Sequence, residues 1–589
     1  MPPKRHFISF SNKALWSMAF VLLALAFVYG PSVRDNGFVN WDDDVHLLEN
    51  PFTEDLGPRS LGPIFTTTVN GTYIPLSTLS FAVERKLSGL NPAVYRLNNL
   101  LLHAGVCLLI LILARQAGIS WTGAACAALV FGVHPMHVES VAWVTGRKDV
   151  LYSFFALLAL YCYGRYAAVG QFEFQRERYY AMVLLFLLLA VLAKPMALGM
   201  VFVFILYDWY LKRPWSPGLL WEKIPFLLVA APVAGVTYAM QARLPELKFP
   251  DSLLTWVWCF AFYLRKFFYP DAFVVFYGLP KPLAVTNLTY LASVTAFVLF
   301  IAGIFVFRKC RMFVLACLFY IVSIFFLLRF DAAADANVVA DRFMYLPSLG
   351  FCLLLGYGAQ RLLEKYGKNV FARGALIAFL LAAVTGLGAK AYYQTLVWKD
   401  SVSLWGHQMD IRNDVATALI YQKLGDGYLR QPDFQKILDH YVAIKERPLN
   451  TLDYNDRLLL ENDIHKIGMV MQYFQAAIAI KPDFENAFYG MGDLYYRLGN
   501  GPLAFQNLAR AIELRKDHFD AYFLLAKVNQ AAGLHAEAVL AFRKAVELYP
   551  EHGRMLKKVL PELERMSADA GQGERYRKAK EELLKEFGG

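Results

Sequence analysis

The chain has 589 residues, 57% hydrophobic and 18% charged, with a mean hydropathy of +0.37, which is more apolar surface than one soluble core hides. Lipid must solvate much of it. The net charge of +11 does not signal nucleic acid, because many basic residues lie in short loops between apolar runs, where they orient membrane spans.

Lys4, Arg5 and Lys13 precede an apolar stretch at residues 14–30 that no small-x-small cleavage site follows, so the start reads as an uncleaved anchor. A first outer loop, residues 31–97, carries Asn40-Trp41-Asp42-Asp43-Asp44 close behind it. Adjacent carboxylates repel, so at least one should hold its proton unusually tightly unless a cation or sugar hydroxyls hold it. That suits a general base; an acidic loop or a helix N-cap is the plainer alternative. Apolar segments follow at 100–114, 121–133, 150–164, 180–193, 197–211, 219–240, 287–307, 312–328, 346–360 and 372–390. With the first they make about 11 expected spans, several shorter than the ~20 residues of an upright helix.

The positive-inside rule tests this count. Arg115, Arg165, Arg176, Arg178, Lys212, Arg213, Arg308, Lys309, Arg311, Arg361, Lys365 and Lys368 should share one side. They do if the N-terminus is cytoplasmic and residues 253–268, which contain Arg265 and Lys266, lie in the outer interface or re-enter from it. Everything after Gln394 is then outside: periplasmic in a bacterial inner membrane, or lumenal in a eukaryote.

Charged groups at the membrane surface are costly and therefore informative. A second outer loop, residues 134–149, holds His134, His137, Glu139, Arg147, Lys148 and Asp149. Two imidazoles and a carboxylate at this spacing are able to ligate a metal, although hydrogen bonding or packing is the plainer role, and no metal is expected. Arg147 and Lys148 oppose the positive-inside bias. Either a local anion holds them, or they snorkel to lipid phosphates. Lys194 occupies an outer turn, and Asp341-Arg342 closes an outer loop at residues 329–345 just before a span.

The C-terminal part repeats. Residues 485–518 and 519–552 are consecutive blocks of about 34 residues, the tetratricopeptide period. Gly492 and Ala526, Ala504 and Ala538, and Ala511 and Ala545 supply matching small residues, with Leu508 and Phe542 filling the gaps beside them. Phe474, Ala477 and Pro482 continue the register upstream, and Leu424, Gly425 and Tyr428 suggest a diverged repeat before that. The fold class expected is all-α: a polytopic membrane domain over 1–395, a tetratricopeptide-repeat solenoid over 396–565, and a charged helix or tail over 566–589. A protein partner would use the solenoid's concave face. All seven cysteines lie in or beside apolar runs, so no disulfide framework is expected in the soluble part.

Several motifs recur in order: Phe38-Val-Asn-Trp-Asp-Asp with Asn50-Pro51, Tyr73-Ile-Pro75-Leu76, Gly89-Leu-Asn-Pro92 with Tyr95-Arg-Leu-Asn98-Asn99 and His103, the block from His134 to Asp149, and Asp341-Arg342 with Tyr345-Leu-Pro347-Ser348. In these residues, followed by tetratricopeptide repeats, the chain resembles the tetratricopeptide-containing transmembrane O-mannosyltransferases and their bacterial relatives in the GT-C superfamily. The resemblance implies a GT-C-like membrane domain and inverting transfer of a sugar from a polyprenyl-phosphate lipid, as co-substrate, to a hydroxyl on a protein or glycolipid acceptor outside. No other cofactor is obligatory. It implies Asp42 and Asp43 as the catalytic pair, with Asp42 the base. An anionic leaving group implies cations from Arg342, Arg147, Lys148 and Lys194, in a substrate pocket with His134, His137, Glu139, Asp149, Tyr73 and Tyr345. The chain departs from the pattern at Ile74, Arg96 and Lys194-Pro195, where relatives often carry arginine, histidine and lysine-glutamate. A non-catalytic membrane-anchored scaffold for envelope proteins is the alternative. A transporter would bury ions in mid-span and repeat its halves, which this chain does not.

Overall fold

The computed structural model describes residues 12–169, 174–240, 251–325, 338–411, 417–448, 451–549, 552–567 and 573–587. Among the described residues the regular structure is helical, joined by turns and irregular loops, with one isolated bridge between Val69 and Thr72, and the chain divides into two compact units, Met1–Ser403 and Leu404–Gly589. Part of the expected outer loop, residues 329–337, lies outside the described residues.

Each apolar segment read from the sequence falls mostly on a helix of the first unit, residues 326–328 lying outside the described residues: α1 (Asn12–Asp35), α2 (Pro92–Gln116), α3 (Trp121–Val133), α4 (Arg147–Ala168), α5 (Phe174–Ala193), α6 (Met200–Leu211), α7 (Ile224–Met240), α8 (Leu288–Val306), α9 (Arg311–Ile324), α10 (Leu349–Lys365) and α11 (Val370–Val397). Among the described residues, six helical stretches are long and apolar enough to cross a membrane unaided, and the bent pair Trp121–Val133 with Pro135–Ala142 makes up to seven. The expected eleven is reached only by counting α5, α6, α9 and α10 as well, which are shorter or carry more charge. The chain is a multi-pass membrane protein.

Small residues set the helix crossings, as they must where lipid supplies no hydrophobic drive between helices. A Cβ at Gly123 would stand 2.6 Å from Gly356 O, and one at Gly350 would stand 2.7 Å from Ala316 O, so α3 against α10 and α10 against α9 pack backbone to backbone.

The basic turns gather at one end of this bundle. Tyr210 bonds Ala117 O, Arg311 bonds Trp209 O, Gln360 accepts from Ser120 N, and Arg176 and Arg213 share Glu222. The helix at Asp251–Phe268, expected to lie in or re-enter from the interface, packs one side on protein, Phe260 on Phe297, Phe300 and Tyr320 and Phe267 on Phe351 and His134, while Leu253, Arg265 and Phe268 are exposed.

In the second unit, helices Glu485–Arg497 and Gly501–Leu514, then Phe519–Ala531 and His535–Leu548, form two hairpins in the register read from the sequence. Ala504, Leu508, Ala511, Ala526, Ala538, Phe542 and Ala545 are all fully buried. Gly499 and Gly533 end equivalent helices at φ +74° and +77°, a left-handed conformation that glycine adopts without strain. Upstream, the Phe474 ring fills the space left by Gly425 and Gly490, where a side chain would collide with it. The diverged repeat pairs Ala418–Leu429 with the 27-residue helix Tyr454–Ile480, and Pro432–Ile444 is inserted between them. At the C-terminus Gly573–Phe587 is no free tail, since Tyr576 and Leu583 complete the core that contains Phe542 and Met555.

Candidate functional site

Asp43 and Asp42 are adjacent in the first outer loop, yet their surroundings differ. Asp43 is fully buried; its Oδ2 accepts from Val39 N (2.9 Å), and its Oδ1 accepts from Thr145 N (3.2 Å) and Thr145 Oγ1 (2.6 Å). Burial pushes its pKa up to about 6, against the opposing pull of those donors and of Arg96. Asp43 thus joins the first outer loop to the second. Asp42 keeps its side chain 19% exposed and stands 3.8 Å from Lys148 Nζ, the loosest of the ion pairs here.

Two further acid–base pairs lie beside this one. Lys194 Nζ is 2.5 Å from Asp149 Oδ1, and Glu139 takes Arg342 through both oxygens, from Nη1 (2.5 Å) and from the backbone N (2.8 Å). Two aromatic rings tie the three cations into one row. Trp143 lies under Lys148 Nζ and the Arg342 guanidinium, each 5.5 Å from its centroid, while Phe343 lies under Arg342 at 5.0 Å and Lys194 at 5.3 Å. Cations over a ring face are attracted by its quadrupole, most when little water competes. Glu139 and Asp149 hold the Arg342 guanidinium charged against the cost of burial. Asp42, Glu139 and Asp149 therefore balance Lys148, Lys194 and Arg342, with the least buried acid at one end. The row lies at the end of the bundle opposite the basic turns, since α4 runs from Lys148 at the row to Arg165 beside Tyr179 at the other end.

Five expected site residues lie elsewhere. Arg147 points to another face of α4, where Glu84 takes both terminal nitrogens (2.5 and 3.1 Å) and Tyr95 O, Ser80 Oγ and Asn99 Oδ1 take the remaining donors. It is a structural cation with nothing left for a phosphate. His134 bonds Phe267 O (3.0 Å) and accepts from Met136 N, and His137 bonds Phe131 O (2.7 Å) and Ser348 Oγ (3.0 Å). These nitrogens are engaged within the protein, and Glu139 is held by Arg342. Tyr345 donates into the same packing layer, its hydroxyl 2.6 Å from His103 Nδ1. Tyr73 bonds Phe65 O (2.8 Å) within its own loop. None of these five has a polar bond to the charged row.

Thr145, Trp143 and Phe343 received no role from motif reasoning, and Arg96 stood out only as a departure from the family pattern. Arg96, 1% exposed, donates to Asn36 O (2.8 Å), Gly37 O and Ala142 O (2.9 Å), so the guanidinium staples both outer loops through their carbonyls.

Fold and site together define a class: a multi-pass helical membrane protein with a charge-balanced polar row at one end of its bundle, followed by tetratricopeptide hairpins. A tetratricopeptide repeat family model matches residues 483–551. The protein O-mannosyl-transferase TMTC3 of Homo sapiens is 23% identical over 88% of this chain and 66% of its own length. Protein O-mannosyl-transferase F38B6.6 of Caenorhabditis elegans is 26% identical over 73% of this chain and 62% of its own length. Protein O-mannosyl-transferase TMTC2 of Mus musculus is 39% identical, over 20% of this chain. The chain thus resembles the tetratricopeptide-containing transmembrane O-mannosyltransferases, as its ordered motifs implied, and spans about 59–66% of the length of the first relatives it matches. Among solved structures, the Saccharomyces cerevisiae protein O-mannosyltransferase Pmt1–Pmt2 complex bound to its sugar donor is similar over 39% of this chain and 33% of that chain (17% identity, TM-score 0.28), a likeness too slight to bear on function.

Proposed function

We propose that this chain is an inverting glycosyltransferase that moves a sugar, mannose by the names of its relatives, from a polyprenyl-phosphate carrier to a hydroxyl on a protein or glycolipid acceptor. The reaction takes place on the periplasmic or lumenal side. The observation that carries this reading is the row of Asp42, Lys148, Arg342, Glu139, Lys194 and Asp149 at one end of an apolar bundle, with the least buried acid at its edge. By the positive-inside rule, the basic turns at the far end of the bundle support an outer position for that row.

The acceptor hydroxyl is a weak nucleophile near neutral pH. Asp42 accepts its proton as the oxygen bonds to the anomeric carbon, and the bond from that carbon to the phosphate oxygen breaks with inversion. The phosphate leaves with the electron pair. Lys148, Lys194 and Arg342 meet the charge that develops, and because they are already fixed by their acid partners and aromatic floor, little reorganisation is needed. Asp43 positions Asp42. The tetratricopeptide unit would present an acceptor protein or a partner.

The test is the purified full chain in lipid nanodiscs, given a short polyprenyl-phosphate mannose and a serine- and threonine-rich peptide. Mass spectrometry should find a hexose added, and NMR should find the opposite anomeric configuration to the donor's. Absence of product across mannose, glucose and N-acetylhexosamine donors, with peptide and glycolipid acceptors, would move the reading to the scaffold.

A further inference from the structure

The acid-bearing loop is held by the segment of chain that leaves the membrane last. Asn36 Nδ2 donates to Thr395 O (2.9 Å), Gly37 N to Lys399 O (2.7 Å) and Asn40 N to Ser401 Oγ (2.9 Å), so the root of the loop runs alongside residues 395–401. Arg96 extends its staple to Trp398 O (3.4 Å). The Trp398 ring, 3% exposed, stacks on Trp143 with centroids 5.5 Å apart and planes at 25°. Trp143 is the ring on which Lys148 and Arg342 lie. Residues 395–401 therefore touch both halves of the site: the backbone that carries Asp42 and Asp43, and the floor beneath two of the cations.

α11 has its other polar attachments towards this end as well, with Lys390 Nζ donating to Pro270 O and Gln394 Nε2 to Phe273 O (3.2 Å). Its buried residues are Gly388, Ala391 and Thr395, all in its final turns, while side chains such as Val370, Phe371 and Phe379 are exposed to the lipid position. A span needing only anchorage has no use for such an arrangement of polar bonds at one end. Fixing an acid against a cation row does, because misplacement by about 1 Å costs on the order of 100-fold in rate.

We propose that residues 395–401 are a positioning element of the site, in which Ser401 and Trp398 set the acid-bearing loop against the cation row. Sugar transfer then depends on the stretch of chain that leads out to the repeats. The inference rests on the transferase reading for its effect on rate, but not for its effect on the loop.

The test uses the full chain in nanodiscs with Ser401→Ala, Trp398→Ala and Trp398→Phe, followed by amide hydrogen exchange over residues 38–48 and by steady-state transfer. Ser401→Ala and Trp398→Ala should speed exchange of those amides tenfold or more and lower kcat at least tenfold. In Ser401→Ala the KM for the donor should change less than threefold, because no donor-binding cation is touched. Trp398→Phe keeps a stacking ring and should restore both readouts to within threefold of the parent. Unchanged exchange in both alanine variants overturns the proposal. So does faster exchange with unchanged kcat, which would make the contact purely structural. A parent chain that transfers no sugar defeats the transferase reading instead, and the exchange data then decide the loop contact alone.

Discussion

Replacing each acid of the first outer loop by its amide separates catalysis from architecture. Asp42→Asn keeps the side chain's shape and removes the proton acceptor. Its ion pair with Lys148 is long, at 3.8 Å, and the two side chains remain 19% and 15% exposed, so losing it should cost only about 1 kcal/mol of stability. The rate should fall by about 10²–10⁴, the usual contribution of a positioned base, which is roughly 3–5 kcal/mol in the barrier. Asp43→Asn should act chiefly on stability, lowering the rate only through the placing of Asp42. Both Asp43 oxygens accept from buried donors at Val39 and Thr145, and an amide turns its NH2 towards one of them. A buried donor left without an acceptor costs about 1–3 kcal/mol. The assays are thermal unfolding in detergent, read by tryptophan fluorescence, and initial rates of sugar transfer on the folded fraction. Asp42→Asn retaining more than a tenth of the parent rate, or the Asp42→Asn/Asp43→Asn double variant transferring almost normally, would refute the assignment of the base.

Arg342→Lys keeps the backbone bond to Glu139 but replaces the planar guanidinium that spans the Trp143 and Phe343 rings with a point charge, so donor affinity measured by titration should fall about tenfold with little change in unfolding temperature. Arg147→Gln should act on folding alone. It leaves Glu84 buried without its cation, at a cost of about 3–5 kcal/mol, while the folded fraction binds donor normally. Stability should also carry a pH signature of Asp43. The folded chain holds that proton up to about pH 6, whereas the unfolded chain loses it near pH 3.9. The contribution is therefore complete below the lower value and lost as pH rises to the upper one, by about 3 kcal/mol in all. Buried His46, held down to about 3, has the opposite slope, but it is common to both proteins, so subtracting the Asp43→Asn unfolding curve isolates Asp43. An Asp520→Cys chain in intact inner-membrane vesicles or cells should react with an impermeant maleimide from the outer side; reaction only after permeabilisation would reverse the proposed orientation.

Much of the architecture was legible in the residues because it depends on local period and composition. Apolar runs declare themselves to lipid wherever they fold, and each proved helical. Small residues recurring at Gly492 and Ala526, Ala504 and Ala538, and Ala511 and Ala545 mark hairpins whose helices must close on each other, and the hairpins are there. The insertion of Pro432–Ile444 into the diverged repeat was not legible, since an extra amphipathic helix resembles a repeat helix until its partner is known. The ordered motifs also narrowed the acids and cations to a few positions. Tertiary packing then divided neighbours that composition treats alike. Successive residues on a helix point about 100° apart, so Lys148 joins Asp42 while Arg147 turns to Glu84. The pairing of Lys194 with Asp149, 45 residues away, and of Arg342 with Glu139, 203 residues away, follows from which helix ends meet. A sequence states which charges a chain carries. Which of them are neutralised inside the protein, and which stand at the edge where a substrate arrives, depends on distances that only the packed helices set.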